Sequence, residues 1–282
     1  MEKQVKILAY YLPQFHPFPE NDEWWGKGFT EWTNVGKAKP LFPGHKQPEV
    51  PGELGYYDLR VPQVREDQAR LAREAGVYGF CYWHYWFNGH QLMNDIIDEV
   101  LSTGKPDFPF CFGWANETWK CKQWNVDGFG DKILIEQTYG GEKDYRAHFD
   151  YVKKFFKDGR YVCVDGKPLF QIYRPLDFPD VANFISLWNK WIKEEGIAEG
   201  IYFVGNVIDE KDIEKTKSLG FDCLVITLNW RFTDRTLLSR FKFKVEKLLR
   251  LPLIVRYSDA ITRFWKEGID SREDVAPTIL PR

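Results

Sequence analysis

Two methionines, five histidines and five cysteines are a thin supply, in 282 residues, of the side chains that bind soft metals or close disulfides. The cysteines stand at 81, 111, 121, 163 and 223, an odd and scattered set with no CxxC pair, which excludes a disulfide framework and a zinc cluster. The histidines, at 16, 45, 84, 90 and 148, have no HExxH or comparable ligand spacing. Also absent are a GxGxxG turn after the first strand-like segment, a P-loop, a GxSxG elbow, and the DxD-type triplet that holds a cation on a sugar-nucleotide diphosphate. The chain is therefore expected to use no cofactor and no metal.

An excess of one charge is missing too. The 39 basic and 41 acidic side chains leave a net −2, which provides no basic face for nucleic acid or for an anionic membrane. The longest apolar run, residues 77–87, contains His84 and falls well short of the ~20 residues that cross a bilayer. Residues 1–11 carry a short apolar run with no small-residue cleavage site, unlike a signal peptide. These features predict a soluble, cytoplasmic protein without a membrane span and without nucleic acid as a partner.

What the chain has in plenty is rings. Twelve Trp, 14 Tyr and 22 Phe make 17% of it, and two uses compete for them: a large aromatic core, or rings lining a partly wet cleft where they stack on sugar. Apolar periodicity alternates between strand and helix. Residues 5–11, 77–86, 108–114, 168–173, 201–204, 223–228 and 275–280 read as strands; 58–75, 92–101, 145–156, 181–192, a short stretch around Ile213, and 237–249 read as helices. The segment 12–57 is too long for a plain connection and too rich in Trp and Phe for disorder, so it is expected to be a folded, site-building loop. Parallel strands with helical crossovers result, in one domain spanning 1–282: an α/β fold of the (β/α)₈ TIM-barrel type, incomplete at the C-terminus with about seven strands. An open barrel leaves the edges of its first and last strands unpaired, which invites self-association or a partner segment.

In such a barrel the site is assembled from the residues at the C-terminal end of each strand and in the loop beyond it. The first strand and its loop deliver Gln14, His16, Trp25, Glu31 and Trp32; the second His84, Tyr85 and Trp86; the third Trp114, Asn116, Glu117 and Trp119; the later ones Tyr173, Arg174, Asn206, Asn229 and Trp230. Amides, His and Arg fix hydroxyls by directional hydrogen bonds, while indole and phenol faces cover the C–H faces of a pyranose, so an oligosaccharide or polysaccharide is the ligand class that fits. Glycosidic chemistry wants paired carboxylates. Glu117 is the best-placed candidate for catalysis, with Glu31 and Asp22 as candidate partners; alternatively, Glu117 pairs with Lys120 or Lys122, Glu31 caps or braces its loop, and His84 is a core histidine.

Three stretches resemble the WbsX-type glycosyltransferases of lipopolysaccharide and surface-polysaccharide biosynthesis, related in fold to the endo-α-mannosidases: AYYLPQFHPFPENDEWWGKGFTEWTNVGKAKPLFPGHKQPEVPGELGYYDLR (9–60), GFCYWHYWF (79–87) and FGWANETW (112–119). The resemblance implies a (β/α)₈ barrel that acts on glycans, either by glycosyl transfer or as an endo-acting hydrolase. Members of the family usually continue past a PTILP-like strand (277–281 here) into a last strand with Asn-Glu-Trp and Leu-Glu-Pro segments, whose glutamates the likeness to the mannosidases makes catalytic. This sequence ends before them, so Glu117 inherits no role by resemblance. The chain is expected to be a piece of a longer protein or a truncated barrel that binds glycan without turning it over.

Overall fold

The strands, in chain order, are β1 (Leu8–Tyr11), β2 (Gly79–Phe87), β3 (His90–Leu92), β4 (Phe110–Trp114), β5 (Trp119–Lys120), β6 (Ile133–Ile135), β7 (Cys163–Val164), β8 (Lys167–Ile172), β9 (Tyr202–Val207), β10 (Cys223–Ile226) and β11 (Val275–Ala276). Seven of them, β1-β2-β4-β8-β9-β10-β11, form one path, and every neighbour on it pairs in parallel. This is the order of a (β/α) barrel, left open among the described residues between β11 and β1. The structure is a computed structural model that describes residues 5–120, 132–227, 241, 244–245, 248, 257–258 and 265–279. Most of the helix expected at 237–249 lies outside the described residues.

The α-helices among the described residues are α1 (Pro19–Trp25), α2 (Glu31–Lys37), α3 (Pro62–Glu74), α4 (Asn94–Thr103), α5 (Glu142–Phe156), α6 (Val181–Glu194), α7 (Ile213–Lys217) and a single turn, α8 (Glu267–Asp270). Pro62 opens α3 at a position where a missing N–H costs nothing, and Gly104 ends α4 in the left-handed region (φ 69°). On α5 the buried stripe is Tyr145, His148, Phe149, Val152, Phe155 and Phe156; on α6 it is Val181, Phe184, Ile185, Trp188, Trp191 and Ile192. These two stripes meet the sheet and each other.

The pleat decides where the rings go. In β4 the order Phe110-Cys111-Phe112-Gly113-Trp114 alternates large and small, and the large members pack with the helices: Phe112 lies 4.8 Å from Phe155, and Trp114 5.5 Å from Phe184. The small members face the barrel interior, where a Cβ on Gly113 would come within 3.2 Å of Cys81 Sγ and 3.3 Å of the Trp83 ring. The parity holds in β2, where Phe80, Tyr82 and Trp86 join the helix-facing core while Trp83, Tyr85 and Phe87 belong to the opposite side. Much of the aromatic surplus is thus core, each fully buried large ring contributing roughly 1.5–3 kcal/mol of transfer free energy. A smaller set of rings remains on the inner face, with Tyr10 stacked on Trp83 at 4.9 Å.

Three short ribbons were not expected from the sequence. β3 folds back on β2, β5 pairs antiparallel with β6 beside the C-terminal end of β4, and a third such ribbon is made by β7 on the start of β8. The loop at 12–57 holds α1 and α2.

Candidate active site at the strand ends

A cleft of about 2080 Å³ opens at the C-terminal ends of the strands, between the 12–57 loop, the end of β4, the β5–β6 ribbon and the segment after β8. Of the residues expected at the site, Gln14, Trp25, Glu31, Asn116, Glu117, Trp119 and Arg174 line it. They come from segments far apart in sequence.

Asn116 is the hub. Its side chain is 1% exposed; Nδ2 donates to the Arg174 carbonyl (2.9 Å) and to the Tyr139 hydroxyl (3.0 Å), and Oδ1 accepts from the Arg174 N–H (2.7 Å). The amide thereby clamps the chain after β8 to the chain after β4. Arg174, so held, reaches Glu117 Oε2 through Nε (3.3 Å) and Nη2 (3.2 Å), with both side chains about two-thirds buried at 29% and 32% exposed. The guanidinium also lies 5.0 Å from the Tyr173 ring centroid. The partner of Glu117 is therefore Arg174, not Lys120; Lys122 lies outside the described residues.

Tyr85 links this pair to the first loop. Burial pushes its hydroxyl well above the ordinary phenol range; a hydrogen bond with Gln14 pulls it down, and the charges of Glu117 and Glu31 push it up again. Both carboxylates are close enough to act on one phenol. Glu31 is the first residue of α2, with Thr30 at the N-cap position, and burial raises its pKa against an opposing hydrogen bond from Asn34. It faces the cleft rather than capping the helix.

Other expected site residues sit elsewhere. His84 points to the helix layer, its Nε2 2.8 Å from His148 Nε2; burial lowers the His84 pKa to about 3 and that of His148 well below the usual histidine value, so the pair is neutral near pH 7. Trp86 is buried against α5, donating to Asp144 Oδ1 at 2.8 Å, and Trp114, 1% exposed, donates to the Trp86 carbonyl at 3.1 Å. Trp32 donates to the Tyr57 carbonyl at 2.7 Å and packs on Phe15, which braces the loop. His16 is buried near Phe18, with its pKa lowered by burial. Asn206 spends its amide on the strand ends, donating to Tyr173 O (3.2 Å) and accepting from Thr227 Oγ1 (2.8 Å). Tyr173 stands edge-on to Trp83 at 5.3 Å. Asn229 and Trp230 lie outside the described residues.

The cleft also holds residues that sequence reasoning missed, among them Asn21, Trp24, Gln137, Tyr139 and Asp177. Asn21 and Trp24 stand inside the 9–60 stretch, whereas Gln137 and Tyr139 follow a three-residue strand with no periodic signal. Among the described residues no three His, Cys, Asp or Glu side chains gather as a metal site, and no helix is long and apolar enough to cross a membrane.

Comparison with known proteins agrees with this architecture. The profile of the glycosyltransferase WbsX family matches residues 7–282. Two proteins of Xanthomonas campestris pv. campestris, from strains B100 and ATCC 33913, both carried as uncharacterized protein WxcX, are 44% identical over 193 residues, which is 68% of this chain and 27% of theirs. The chain thus spans about a quarter of the length of these relatives. A solved glycoside hydrolase-like protein shares the fold at a TM-score of 0.52 and 14% identity, over 86% of this chain and 66% of that one. The GH99 endo-alpha-mannosidase from Bacteroides thetaiotaomicron superposes with a TM-score of 0.46 at 16% identity, over 87% of this chain and 68% of its own. With the profile running from the first strand to the last residue, the chain belongs to the WbsX glycosyltransferase family.

Proposed function

We propose that this chain is a single-domain barrel whose strand-end cleft binds a glycan, and that it acts by glycosyl transfer in the cytoplasmic assembly of lipopolysaccharide or another surface polysaccharide. The observation that carries the reading is the convergence of Gln14, Glu31, Glu117, Trp119 and Arg174, from four separate segments, on one cleft. Family membership supports the reaction class.

In this reading the two carboxylates divide the work. The raised pKa of Glu31 suits it to hand a proton to the leaving oxygen as the bond from the donor's anomeric carbon breaks. Glu117, ion-paired to Arg174, takes the proton from the acceptor hydroxyl as the new bond to that carbon forms. Gln14, Trp25 and Trp119 hold the sugar.

A second reading, endo-acting hydrolysis, is favoured by the same pair of carboxylates, because water can stand where the acceptor hydroxyl does. Incubating the chain with oligosaccharides, with and without nucleotide sugars, separates the two. Chain extension that needs a donor supports transfer, and release of sugar with no donor supports hydrolysis. In either case Glu117→Gln is expected to lower turnover roughly 10²–10⁴-fold. Turnover unchanged by Glu117→Gln refutes the assigned role, and absence of any glycan binding refutes the reading as a whole.

A further inference from the structure

At the corner where α1 meets the β5–β6 ribbon, two polar atoms of the cleft are buried without a partner among the described residues: Asn21 Nδ2 and Gln137 Oε1. Asn21 is 4% exposed, yet its amide nitrogen finds no acceptor among the described residues. Gln137 is held at two points, its backbone N–H on Thr118 Oγ1 (3.1 Å) and its Nε2 on the Thr138 carbonyl (3.0 Å). A carbonyl only accepts, so the Gln137 amide cannot be turned round, and Oε1 is the end left over. Buried polar atoms are nearly always satisfied, and the exceptions need a reason.

Their neighbours supply one. Asn21 and Trp24 are three apart on α1 and share a face, and Trp24 meets Trp119 of the ribbon at 5.9 Å, both rings lining the cleft. Trp119 comes directly after Thr118, the residue that fixes Gln137. An uncharged donor and an uncharged acceptor thus flank an indole corner. We infer that Asn21, Gln137, Trp24 and Trp119 form a subsite for a neutral, hydroxyl-bearing pyranose, in which Asn21 Nδ2 donates to a sugar oxygen and Gln137 Oε1 accepts from a sugar hydroxyl. The inference rests on the glycan-binding reading of the cleft and adds the sugar class at one of its corners.

The test uses the full chain on an array of immobilised gluco-, galacto-, manno- and rhamno-configured neutral oligosaccharides, each beside a uronate- or phosphate-bearing counterpart. The best-captured neutral glycan is then titrated calorimetrically into wild type, Asn21→Leu and Gln137→Met. Each lost neutral hydrogen bond is expected to weaken binding about 3- to 10-fold, with Tm unchanged or raised because an unpaired buried polar atom has gone. In the wild type, the Asn21 side-chain NH₂ resonance is expected to move when the glycan is added. Wild-type affinity in both variants, a stationary Asn21 resonance, or capture of anionic glycans alone overturns the subsite while leaving glycan binding in place. Capture of no glycan overturns the broader reading and the subsite with it.

Discussion

Replacing Asn116 by Leu should break the site without touching a charge. Three hydrogen bonds run through this one amide, two to the backbone of Arg174 and one to the Tyr139 hydroxyl. A net value of about 1 kcal/mol each gives about 3 kcal/mol, and stranding the Arg174 N–H and C=O behind an apolar side chain adds on the order of 1–2 kcal/mol more. We expect about 4–5 kcal/mol of destabilisation, at the high end for a single substitution. The assay is urea unfolding monitored by tryptophan fluorescence, with the slope m compared between variant and wild type. Because Arg174 is positioned by Asn116, the variant should also lose glycan affinity in the fraction that stays folded. A loss below about 1 kcal/mol at unchanged m would refute the claim that Asn116 joins the ends of β4 and β8.

Other contacts carry further expected outcomes. His84 and His148 have folded pKa values below the unfolded value, so the unfolded chain binds more protons and stability must fall with pH from about 6.5 downward, at up to about 1.4 kcal/mol per unit for each histidine. The lowered carboxylates of Asp58, Asp158 and Asp274 lose their contribution only further down, so unfolding midpoints between pH 6.5 and 4.5 report the buried histidines, His16 together with the pair, and the part that disappears in His148→Phe belongs to the pair; a flat wild-type profile contradicts their neutrality. Gly79→Ala puts a Cβ 2.6 Å from the Pro109 carbonyl oxygen and should cost about 1–3 kcal/mol, read as a drop in Tm. Trp32→Phe removes the hydrogen bond to Tyr57 O and should cost about 1 kcal/mol while leaving glycan affinity within twofold, and a large affinity loss would return Trp32 to the binding surface.

The strands were legible because each of the seven is a short apolar run between Gly, Pro or charged residues, and all seven are found on the sheet path. Their facing was harder to read. A barrel strand is apolar on both sides, so alternation of polarity carries little sign, and His84, Trp86 and Trp114 were expected in the site although they belong to the helix layer. Size was the available signal: in β4, Cys111 and Gly113 alternate with Phe and Trp, and a crowded barrel interior takes the small members. The parity that sends Trp114 outward also sends Trp86 and His84 outward, since β2 and β4 pair with His84 opposite Trp114. The Glu117–Arg174 pair spans 57 positions and carries no local signature, so its geometry became visible only once β4 and β8 lay side by side. Gln137 and Tyr139 escaped notice because β6 is three residues long, too short for a pattern.

The central claim is tested most directly by diffraction from the chain crystallised with an oligosaccharide selected on the array. The account predicts sugar density in the strand-end cleft, with a ring against Trp119 and a glycosidic or hydroxyl oxygen within hydrogen-bond distance of Glu117 or Arg174. Sugar bound on the helix layer or at another surface, with this cleft filled by water alone, would contradict it.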